Sequence, residues 1–330
     1  MTAMITGGAG YIGSHMAHEL VDRGEKVVVV DNLVTGFRSA IPSAAEVVEA
    51  DIGEEAAMFD VMQAHGVDTI LHFAASTVVP DSVSDPLGYY LNNTVKTRAL
   101  VSAAARAKVR HFVFSSTAAV YGTPAGGLVS ETAPTNPESP YGASKLMSER
   151  ILVDVATAHG MSLAILRYFN VAGADPKGRT GQSTRRATHL IKVCAQAALG
   201  LRDGVDIYGT DYPTPDGTGI RDYIHVSDLI DAHARALEQL RAGGGRLVVN
   251  CGYGRGYSVR EVIETCQRVS GTDFEVREKP RRLGDPASVV ARADLVRERL
   301  GWRPKYDNLD TIVSHALAWE VRQKAASVLP

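Results

Sequence analysis

The sequence predicts an α/β protein with a doubly wound parallel sheet and a smaller, mixed α/β domain toward its C-terminal end. Two observations predict the sheet. Short β-branched runs alternate with helical stretches through the first half of the 330 residues. The runs are also continuously apolar, as expected for parallel strands that are covered on both faces. Strand–helix–strand repetition of this kind is typical of a doubly wound sheet.

The predicted elements of the first half follow in order. We expect strands at residues 3–6, 26–31, 46–50, 69–73, 112–116 and 163–168, and helices at 12–23, 89–107 and 141–158. Gly160 follows the last helix and can take the left-handed conformation that ends one. Together these elements predict a Rossmann-type domain.

The second half is less regular. Residues 205–208 and 246–250 read as strands, and residues 258–269 read as a helix. Residues 222–240 resemble a strand edge and a helix that could return to the first domain. We therefore predict a Rossmann-type domain over 1–172, with a return segment at 221–240, and a second domain mainly over 173–330.

Composition excludes several classes of protein. Lys and Arg total 35 against 37 Asp and Glu, so the net charge of −2 gives no footprint for nucleic acid or an anionic membrane. No apolar run approaches the ~20 residues of a membrane-spanning helix. The three cysteines, Cys194, Cys251 and Cys266, contain no CxxC pair and read as reduced thiols. The turn at Gly7 leaves no room for a signal peptide, so we expect a cytoplasmic enzyme.

A glycine-rich turn follows the first strand. Gly7, Gly10 and Gly13 are spaced G-x-x-G-x-x-G, and glycines let the amides of the next helix approach a pyrophosphate. Asp31 ends the second strand, eighteen residues after Gly13. A carboxylate there can bind the adenosine ribose and would repel a 2′-phosphate, which favours NAD over NADP. The alternative to a dinucleotide site is a tight turn between strand and helix with a structural role only.

A second constellation joins Thr117, Tyr141 and Lys145. Tyr141 and Lys145 are four residues apart on one predicted helix and share a face. An ammonium beside a phenol favours the phenolate, so we expect a lowered Tyr141 pKa. Thr117 ends a predicted strand, at the sheet edge where such folds bind ligands. An exposed helix pair is the alternative interpretation.

Several longer segments carry a resemblance. GGAGYIGSH at 7–15 and the Y-x-x-x-K motif at 141–145 are similar to the extended short-chain dehydrogenase/reductase family. FSSTAAVYG at 114–122, RYFNVAGAD at 167–175 and DYPTPDGTGIRDYIHV at 211–226 resemble its nucleotide-sugar 4-epimerases. GDPA at 284–287 and LGW at 300–302 continue the likeness over nearly the whole chain.

The resemblance implies a reaction. Tyr141 would remove the proton of the sugar 4-hydroxyl while hydride passes from carbon 4 to NAD, and the 4-keto sugar would then turn over and take hydride back. Lys145 would lower the Tyr141 pKa and bind ribose, and Thr117 would hold the reacting hydroxyl. The implied substrates are UDP-glucose and UDP-galactose, with UDP-N-acetylhexosamines left open.

The same matching implies an NAD site. Its residues are Gly7, Gly10, Tyr11, Ile12, Gly13, Asp31, Asn32, Leu33, Val34, Thr35, Gly36, Asp51, Ile52, Phe73, Ala74, Ala75, Asn93, Ser115, Tyr141, Lys145 and Phe169. Thr77 departs from the lysine that some members place near the cofactor, so one charged contact would be missing.

It also implies a UDP-sugar site. Its residues are Thr117, Tyr141, Asn170, His189, Leu190, Tyr208, Arg221, Arg282, Asp285 and Val289. Arginines suit a diphosphate because the guanidinium donates two aligned hydrogen bonds. His189 departs from an asparagine found in some members, and Lys192 from a common proline. Val289 replaces a bulky tyrosine of some epimerases, which would leave room for a 2-acetamido group.

Three alternatives stay open. One is a 4,6-dehydratase or decarboxylase of the same fold; the dehydratases typically have an Asp-Glu pair after the catalytic threonine, where this chain has Ala118 and Ala119. A pentose 4-epimerase is a second, and a non-catalytic NAD-binding module is a third.

His15 and His18 could suggest a metal pair, but no third ligand is apparent and we expect no metal. The resemblance also implies a homodimer, through the helices at 89–107 and 141–158.

Overall fold

The computed structural model describes residues 1–184, 187–282 and 284–328. Its strands are β1 Thr2–Thr6, β2 Lys26–Asp31, β3 Glu46–Glu49, β4 Thr69–His72, β5 His111–Thr117, β6 Leu128–Val129, β7 Ser162–Tyr168, β8 Asn170–Ala172, β9 Val205–Tyr208, β10 Ile220–His225, β11 Arg246–Cys251, β12 Gly256–Ser258, β13 Val276–Lys279 and β14 Ser288–Ala291. Its helices are α1 Tyr11–Asp22, α2 Glu55–His65, α3 Val79–Ser84, α4 Pro86–Tyr89, α5 Lys96–Arg106, α6 Pro140–His159, α7 Leu190–Ala198, α8 Val226–Arg241, α9 Val259–Ser270, α10 Asp294–Leu300 and α11 Leu309–Val328. Short 3₁₀ turns lie at Arg38–Ala40 and Ala118–Tyr121, and a π-helical turn lies at Tyr90–Val95.

A seven-stranded parallel sheet forms the centre of the molecule. Its strand order is β3-β2-β1-β4-β5-β7-β11, which confirms the predicted doubly wound sheet. The six strands predicted in the first half all occur in it. β11, which we predicted as a strand of the second half, pairs in parallel with β7 and becomes its edge strand. This segment lies beyond the predicted return segment, whose own strand, β10, belongs to a different sheet and whose helix α8 packs against the main one.

Helices cover both faces of this sheet. Neighbouring residues of one strand point to opposite sides, so that Ile5 packs in one apolar cluster and Met4 in the other. Leu20 of α1 and Leu229 of α8 lie in the first cluster. Leu100 of α5 lies in the second, with side chains of α2 and α6. This double burial explains why the strand sequences are continuously apolar.

A second, five-stranded sheet lies beside the first. Its path is β12-β10-β14-β6, and β8 also pairs with β10. β9 and β13 form a separate parallel pair. The register of β10 and β14 sets Arg221 opposite Val289. Two residues of the implied UDP-sugar site are thus neighbours on one surface.

The predicted helix at 89–107 is wrong as a single regular helix. The helical chain starts earlier, at Pro86, because the Asp85 side chain accepts the amide of Gly88 over 3.0 Å and caps α4. It then widens into the π-helical turn, where the Asn93 carbonyl accepts a hydrogen bond from the Ser148 hydroxyl of α6 over 2.8 Å. A π turn breaks helical periodicity without leaving a sequence signature that we could read.

Helix α6 has well-defined ends. Ser139 caps its start by accepting the amide of Gly142 over 3.2 Å, and Pro140 occupies the first turn. Gly160 ends it with a φ of 67°, as predicted. Within the described ranges, no helix is long and apolar enough to cross a membrane.

Candidate active site

A cleft of about 910 Å³ runs along one edge of the seven-stranded sheet. The strands β1, β2, β4, β5 and β7 all contribute to it at their carboxyl ends, through Gly7, Asp31, Phe73, Thr117 and Tyr168 respectively. Ligands of open α/β sheets bind at this edge, and the volume suits a cofactor together with a substrate.

The glycine turn forms one end of the cleft. Gly7 has a φ of 69°, and a Cβ there would lie only 2.5 Å from the Ala74 amide nitrogen, so only glycine fits. Gly10 begins α1 without any side-chain cap. Tyr11, Ile12 and Gly13, the first residues of the helix, line the cleft. Their amides can therefore receive a pyrophosphate, which fits a dinucleotide.

Asp31 links the glycine turn to the residues that follow β2. One carboxylate oxygen accepts the Ala9 amide of the glycine turn over 2.9 Å, and the other accepts the Leu33 amide over 2.8 Å. The carboxylate lines the cleft and retains acceptor capacity for a ribose diol. Leu33 has a φ of 56°, an uncommon conformation for this residue type that Asp31 stabilises.

Asp51 lies near the same end. Its carboxylate accepts the Gly53 amide over 2.8 Å and forms an ion pair with Lys96 of α5. Lys96 lines the cleft, and it was missed by sequence reasoning because it lies 45 residues from Asp51.

Tyr141 and Thr117 line the cleft next to each other. Their side chains are hydrogen-bonded, and Thr117 Oγ1 also accepts the Ala119 amide over 3.1 Å. Gly142 permits this approach, because a Cβ there would lie 2.5 Å from the Ala119 carbonyl oxygen. A phenol and a hydroxyl therefore face one ligand position.

Lys145 lies behind Tyr141, within the wall of the cleft. Its Nζ donates to the Ser115 main-chain oxygen over 2.9 Å and lies 4.8 Å from the centre of the Phe114 ring. Burial lowers the pKa of Lys145 to about 7, and Glu149, one turn along α6, partly opposes that shift.

The expected lowering of the Tyr141 pKa is wrong for the protein chain by itself. Burial raises that pKa, Tyr168 raises it further, and the hydrogen bond with Thr117 opposes both. The hydrogen bond of Lys145 goes to Ser115, and desolvation disfavours its own charge. Forming the phenolate therefore needs an additional positive charge beside Tyr141.

A buried polar network connects the helix that carries Tyr141 with the strand that carries Thr117. Glu149 accepts two hydrogen bonds from the Arg167 guanidinium, from Nε over 3.0 Å and from Nη2 over 2.5 Å, and one from the Ser116 hydroxyl. Arg167 also donates to the Tyr121 hydroxyl over 3.0 Å. The network joins α6 to β5 and β7. Ser116, Tyr121 and Arg167 lie in segments that carry the resemblance, but no residue of the network was predicted as a site residue.

The far end of the cleft is formed by the second sheet and the following turn. Arg221 forms an ion pair with Asp285, and it donates to the Ile220 carbonyl over 2.8 Å. Val289, opposite Arg221, is buried against this end. A guanidinium therefore lines the same cleft as the glycine turn.

Most residues implied by the resemblance line this one cleft. They are Gly7, Gly10, Tyr11, Ile12, Gly13, Asp31, Asn32, Val34, Thr35, Asp51, Ile52, Phe73, Ala74, Ala75, Thr117, Tyr141, Phe169, Asn170, His189, Arg221, Asp285 and Val289. Thr77, the departure noted near the cofactor, also lines it.

The others lie outside its lining, as far as the structure describes the chain. They are Leu33, Gly36, Asn93, Ser115, Lys145, Leu190, Tyr208 and Arg282. Asn93 is buried and bonds to Ser76 and Ser144 through its amide, so it supports the wall. The Arg282 guanidinium stacks on the Tyr208 ring at 3.7 Å.

The cleft also contains side chains that sequence reasoning missed. Tyr168, Gln182 and Glu138 line it. Tyr168 lay within a recognised motif and could have been found there. Glu138 accepts the Thr123 hydroxyl over 2.9 Å, a contact with no local sequence signal.

His15 lies in α1, after the glycine turn. His15 is buried with its Nδ1 2.7 Å from the Tyr11 carbonyl oxygen. Over the described ranges, no three His, Cys, Asp or Glu side chains are grouped to hold a metal ion.

Comparison with known proteins gives consistent matches. Residues 3–252 match the model of the NAD dependent epimerase/dehydratase family. A UDP-glucose 4-epimerase of Azospirillum brasilense is 58% identical over 317 residues, which cover 96% of this chain and 91% of the relative.

Solved structures agree. UDP-glucose 4-epimerase from Brucella ovis in complex with NAD is 43% identical with a TM-score of 0.93, covering 96% of this chain and 97% of that one. The UDP-Glc/GlcNAc 4-epimerase of Campylobacter jejuni is 45% identical with a TM-score of 0.85, covering 97% and 99%.

Proposed function

Because this chain belongs to the NAD dependent epimerase/dehydratase family, we propose that it interconverts UDP-glucose and UDP-galactose by inverting carbon 4 of the sugar. The observation that carries the proposal is the arrangement of one cleft. A dinucleotide-type glycine turn, Asp31, Arg221 and the Tyr141–Thr117 pair all line it. A cofactor and a nucleotide sugar can therefore meet at one phenol.

The roles of the residues follow from this arrangement. NAD, held by the glycine turn and Asp31, would supply the redox chemistry, as the acceptor and donor of hydride at carbon 4. Tyr141 takes the proton of the 4-hydroxyl and gives it back, and Thr117 orients that hydroxyl. Lys145 fixes the start of α6 and, when protonated, favours the phenolate.

The cofactor end fits NAD. The uncapped start of α1 offers amides to a pyrophosphate, and Asp31 offers acceptors to a ribose diol. A 2′-phosphate would meet the same carboxylate, which disfavours NADP.

At the substrate end, Arg221 is the candidate diphosphate ligand. Its guanidinium is only partly exposed and would exchange or share its Asp285 partner when a phosphate binds. Val289 leaves more room beside the sugar than a tyrosine would. We therefore propose that UDP-N-acetylhexosamines are also accepted, as the name of the Campylobacter jejuni enzyme states for that protein.

Water elimination has less support. Ala118 and Ala119 line the cleft beside Thr117 and offer no proton donor or acceptor. The Glu138 carboxylate also lines it, but it is engaged by the amide and hydroxyl of Thr123. The arrangement favours epimerisation over a 4,6-dehydratase reaction.

We propose that two copies of the chain form a homodimer through an exposed apolar surface. Val83, Leu87, Leu91 and Val95 recur every four residues and are all more than half exposed, and Met147 of the adjacent α6 is 45% exposed. Apolar patches of this kind mark interaction sites. A second copy of the chain would cover this patch through the helices expected from the sequence.

Domain roles and location are part of the proposal. Residues 1–172 with 221–240 would bind mainly NAD, and the remainder of 173–330 mainly the UDP-sugar. β11 at the edge of the main sheet supports adding residues 246–251 to the first group.

The three cysteines are buried and form no disulfide, which suits a cytoplasmic enzyme.

Proton NMR of the purified protein with UDP-galactose, and no added nucleotide cofactor, tests the function. We expect UDP-glucose to appear, because the cofactor is regenerated in each cycle. If UDP-galactose stays unchanged even after NAD is added, the hexose assignment fails.

A further inference from the structure

A chain of polar contacts connects the C-terminal helix α11 to the UDP-sugar end of the cleft. Glu320 of α11 forms an ion pair with Lys192 of α7, and both side chains are only 5% exposed. Lys192 Nζ also donates to the Gln182 main-chain oxygen over 2.6 Å. The Gln182 side-chain amide nitrogen lies 2.7 Å from His189 Nδ1. Glu320, Lys192, Gln182 and His189 thus form one chain of polar contacts, which we call the relay.

The buried ion pair is satisfied on both sides. The second carboxylate oxygen of Glu320 accepts the Gln196 side-chain amide over 3.2 Å, while Lys192 has Glu320 and Gln182 as partners. A buried pair gains little net stability from its charges, because desolvation offsets their attraction. What such a pair does supply is a fixed geometry, and here it fixes the Gln182 backbone.

Gln182 in turn determines which nitrogen of His189 carries hydrogen. An amide NH₂ only donates, so Nδ1 must accept, and the hydrogen of a neutral imidazole is then on Nε2. Desolvation by burial, and then the Lys192 ammonium, lower the pKa of His189, so both favour the neutral ring. His189 lines the main cleft, just before the start of α7.

We propose that Glu320, Lys192 and Gln182 are positioning residues that hold His189 as an Nε2–H donor toward an acceptor oxygen of the bound nucleoside diphosphate sugar. The resulting donor is neutral and of fixed direction, as a side-chain amide would be. The assignment rests on the proposed UDP-sugar specificity, so its tests use UDP binding, which can be measured whether or not the protein epimerises.

Gln182→Met is the first test, because it removes the amide but leaves the main-chain oxygen for Lys192. We expect the Kd of UDP, by calorimetry, and the KM of UDP-galactose to rise at least fivefold. kcat should stay within about twofold, and the NAD content should be unchanged. An unchanged Kd for UDP would overturn the proposal.

A double-mutant cycle with His189→Asn separates positioning from general damage. Asparagine can donate without a tautomer, so Gln182→Met should change the Kd of UDP less than twofold in that background. An equal loss in both backgrounds would show that Gln182 acts without His189 and would contradict the relay.

The tautomer can be observed directly. Long-range ¹H–¹⁵N NMR of the ¹⁵N-histidine-labelled protein, with His189→Asn to assign the signal, should show hydrogen on Nε2 in the wild type. Gln182→Met should populate the other tautomer. Hydrogen on Nδ1 in the wild type would refute the proposal.

The buried pair is tested by Lys192→Met combined with Glu320→Met, which avoids leaving one charge unpaired. Its matched control is Arg268→Ala with Asp310→Ala, an exposed pair that also joins α11 to a neighbouring helix. We expect weaker UDP binding only in the first double variant. Equal Kd values for UDP in both would show that the pair does not position His189.

Discussion

Lys145 Nζ donates to the main-chain oxygen of Ser115 over 2.9 Å, two residues before Thr117. The bond ties α6 to the end of β5, so the helix that carries Tyr141 is fixed to the strand that carries Thr117. It also places a titratable group in a buried wall, where its charge is disfavoured.

Lys145→Met tests that burial through the pH dependence of stability. The folded-state pKa of Lys145 is lowered to about 7 from about 10.5, so between these pH values the unfolded chain binds more protons. The free energy of unfolding of the wild type should therefore rise relative to the variant by about 2–3 kcal/mol between pH 6 and pH 9. Urea unfolding at both pH values measures it.

Leu100→Ala is the control for that comparison, because it removes buried side-chain volume but no titratable group. Its difference in unfolding free energy from the wild type should be the same at pH 6 and pH 9. A constant difference for Lys145→Met as well would contradict the lowered pKa.

Tyr141→Phe tests the assigned base. We expect kcat to fall by about 10²–10⁴-fold, the usual contribution of a positioned acid–base group, with NAD still bound. Tyr168→Phe is the matched comparison, since Tyr168 is a second tyrosine of the same cleft, and it should cost less than about tenfold. A larger loss for Tyr168→Phe would move the role to that residue.

Asp31→Ala should weaken NAD binding. The substitution removes the acceptors for a ribose diol and for the amides of Ala9 and Leu33, so we expect a Kd about 10–100-fold higher. Calorimetry on NAD-depleted protein measures it. Asp60→Ala, on the exposed side of α2, is the control. Equal NAD affinity in the two variants would exclude the role.

Val289→Tyr should separate two substrate classes. A tyrosine would fill the space beside Arg221, so turnover of UDP-N-acetylglucosamine should fall at least tenfold more than turnover of UDP-galactose. Val289→Ala should preserve both activities. The specificity proposal fails if the wild type does not use UDP-N-acetylglucosamine at all.

Leu91→Glu should prevent dimer formation. It puts a charge in the middle of the patch formed by Val83, Leu87, Leu91, Val95 and Met147, where a second copy would have to desolvate it. Analytical ultracentrifugation should show a dimer for the wild type and a monomer for this variant. Leu201→Glu, at a leucine that is also exposed, should stay dimeric. A wild-type monomer would refute the dimer itself.

The main sheet could be predicted because its signals are local. Residues 26–31 read as a buried strand from composition alone. Gly7 follows the first strand and Asp31 ends the second, at the spacing that a dinucleotide requires. Their meeting at one sheet edge then follows from parallel topology. The place of Tyr141 beside Thr117 was predictable in the same way.

What escaped prediction depends on distant contacts. Lys192 and Glu320 are 128 residues apart, and nothing in either local sequence indicates an ion pair. The direction of Lys145 and the raised pKa of Tyr141 depend on burial, which motif spacing does not give. The pairing of β11 with β7 joins residues 83 positions apart, such as Arg167 and Asn250, and the periodicity of the sequence does not indicate it.

The fate of the hydrogen on carbon 4 tests the central claim most directly. The wild-type protein would be incubated with UDP-galactose carrying deuterium at carbon 4, in ordinary water, and the UDP-glucose formed would be examined by NMR. We predict that deuterium remains at carbon 4, because the hydride is held within the site and returned. UDP-glucose with ordinary hydrogen at carbon 4 would contradict hydride transfer, since it would show exchange with solvent.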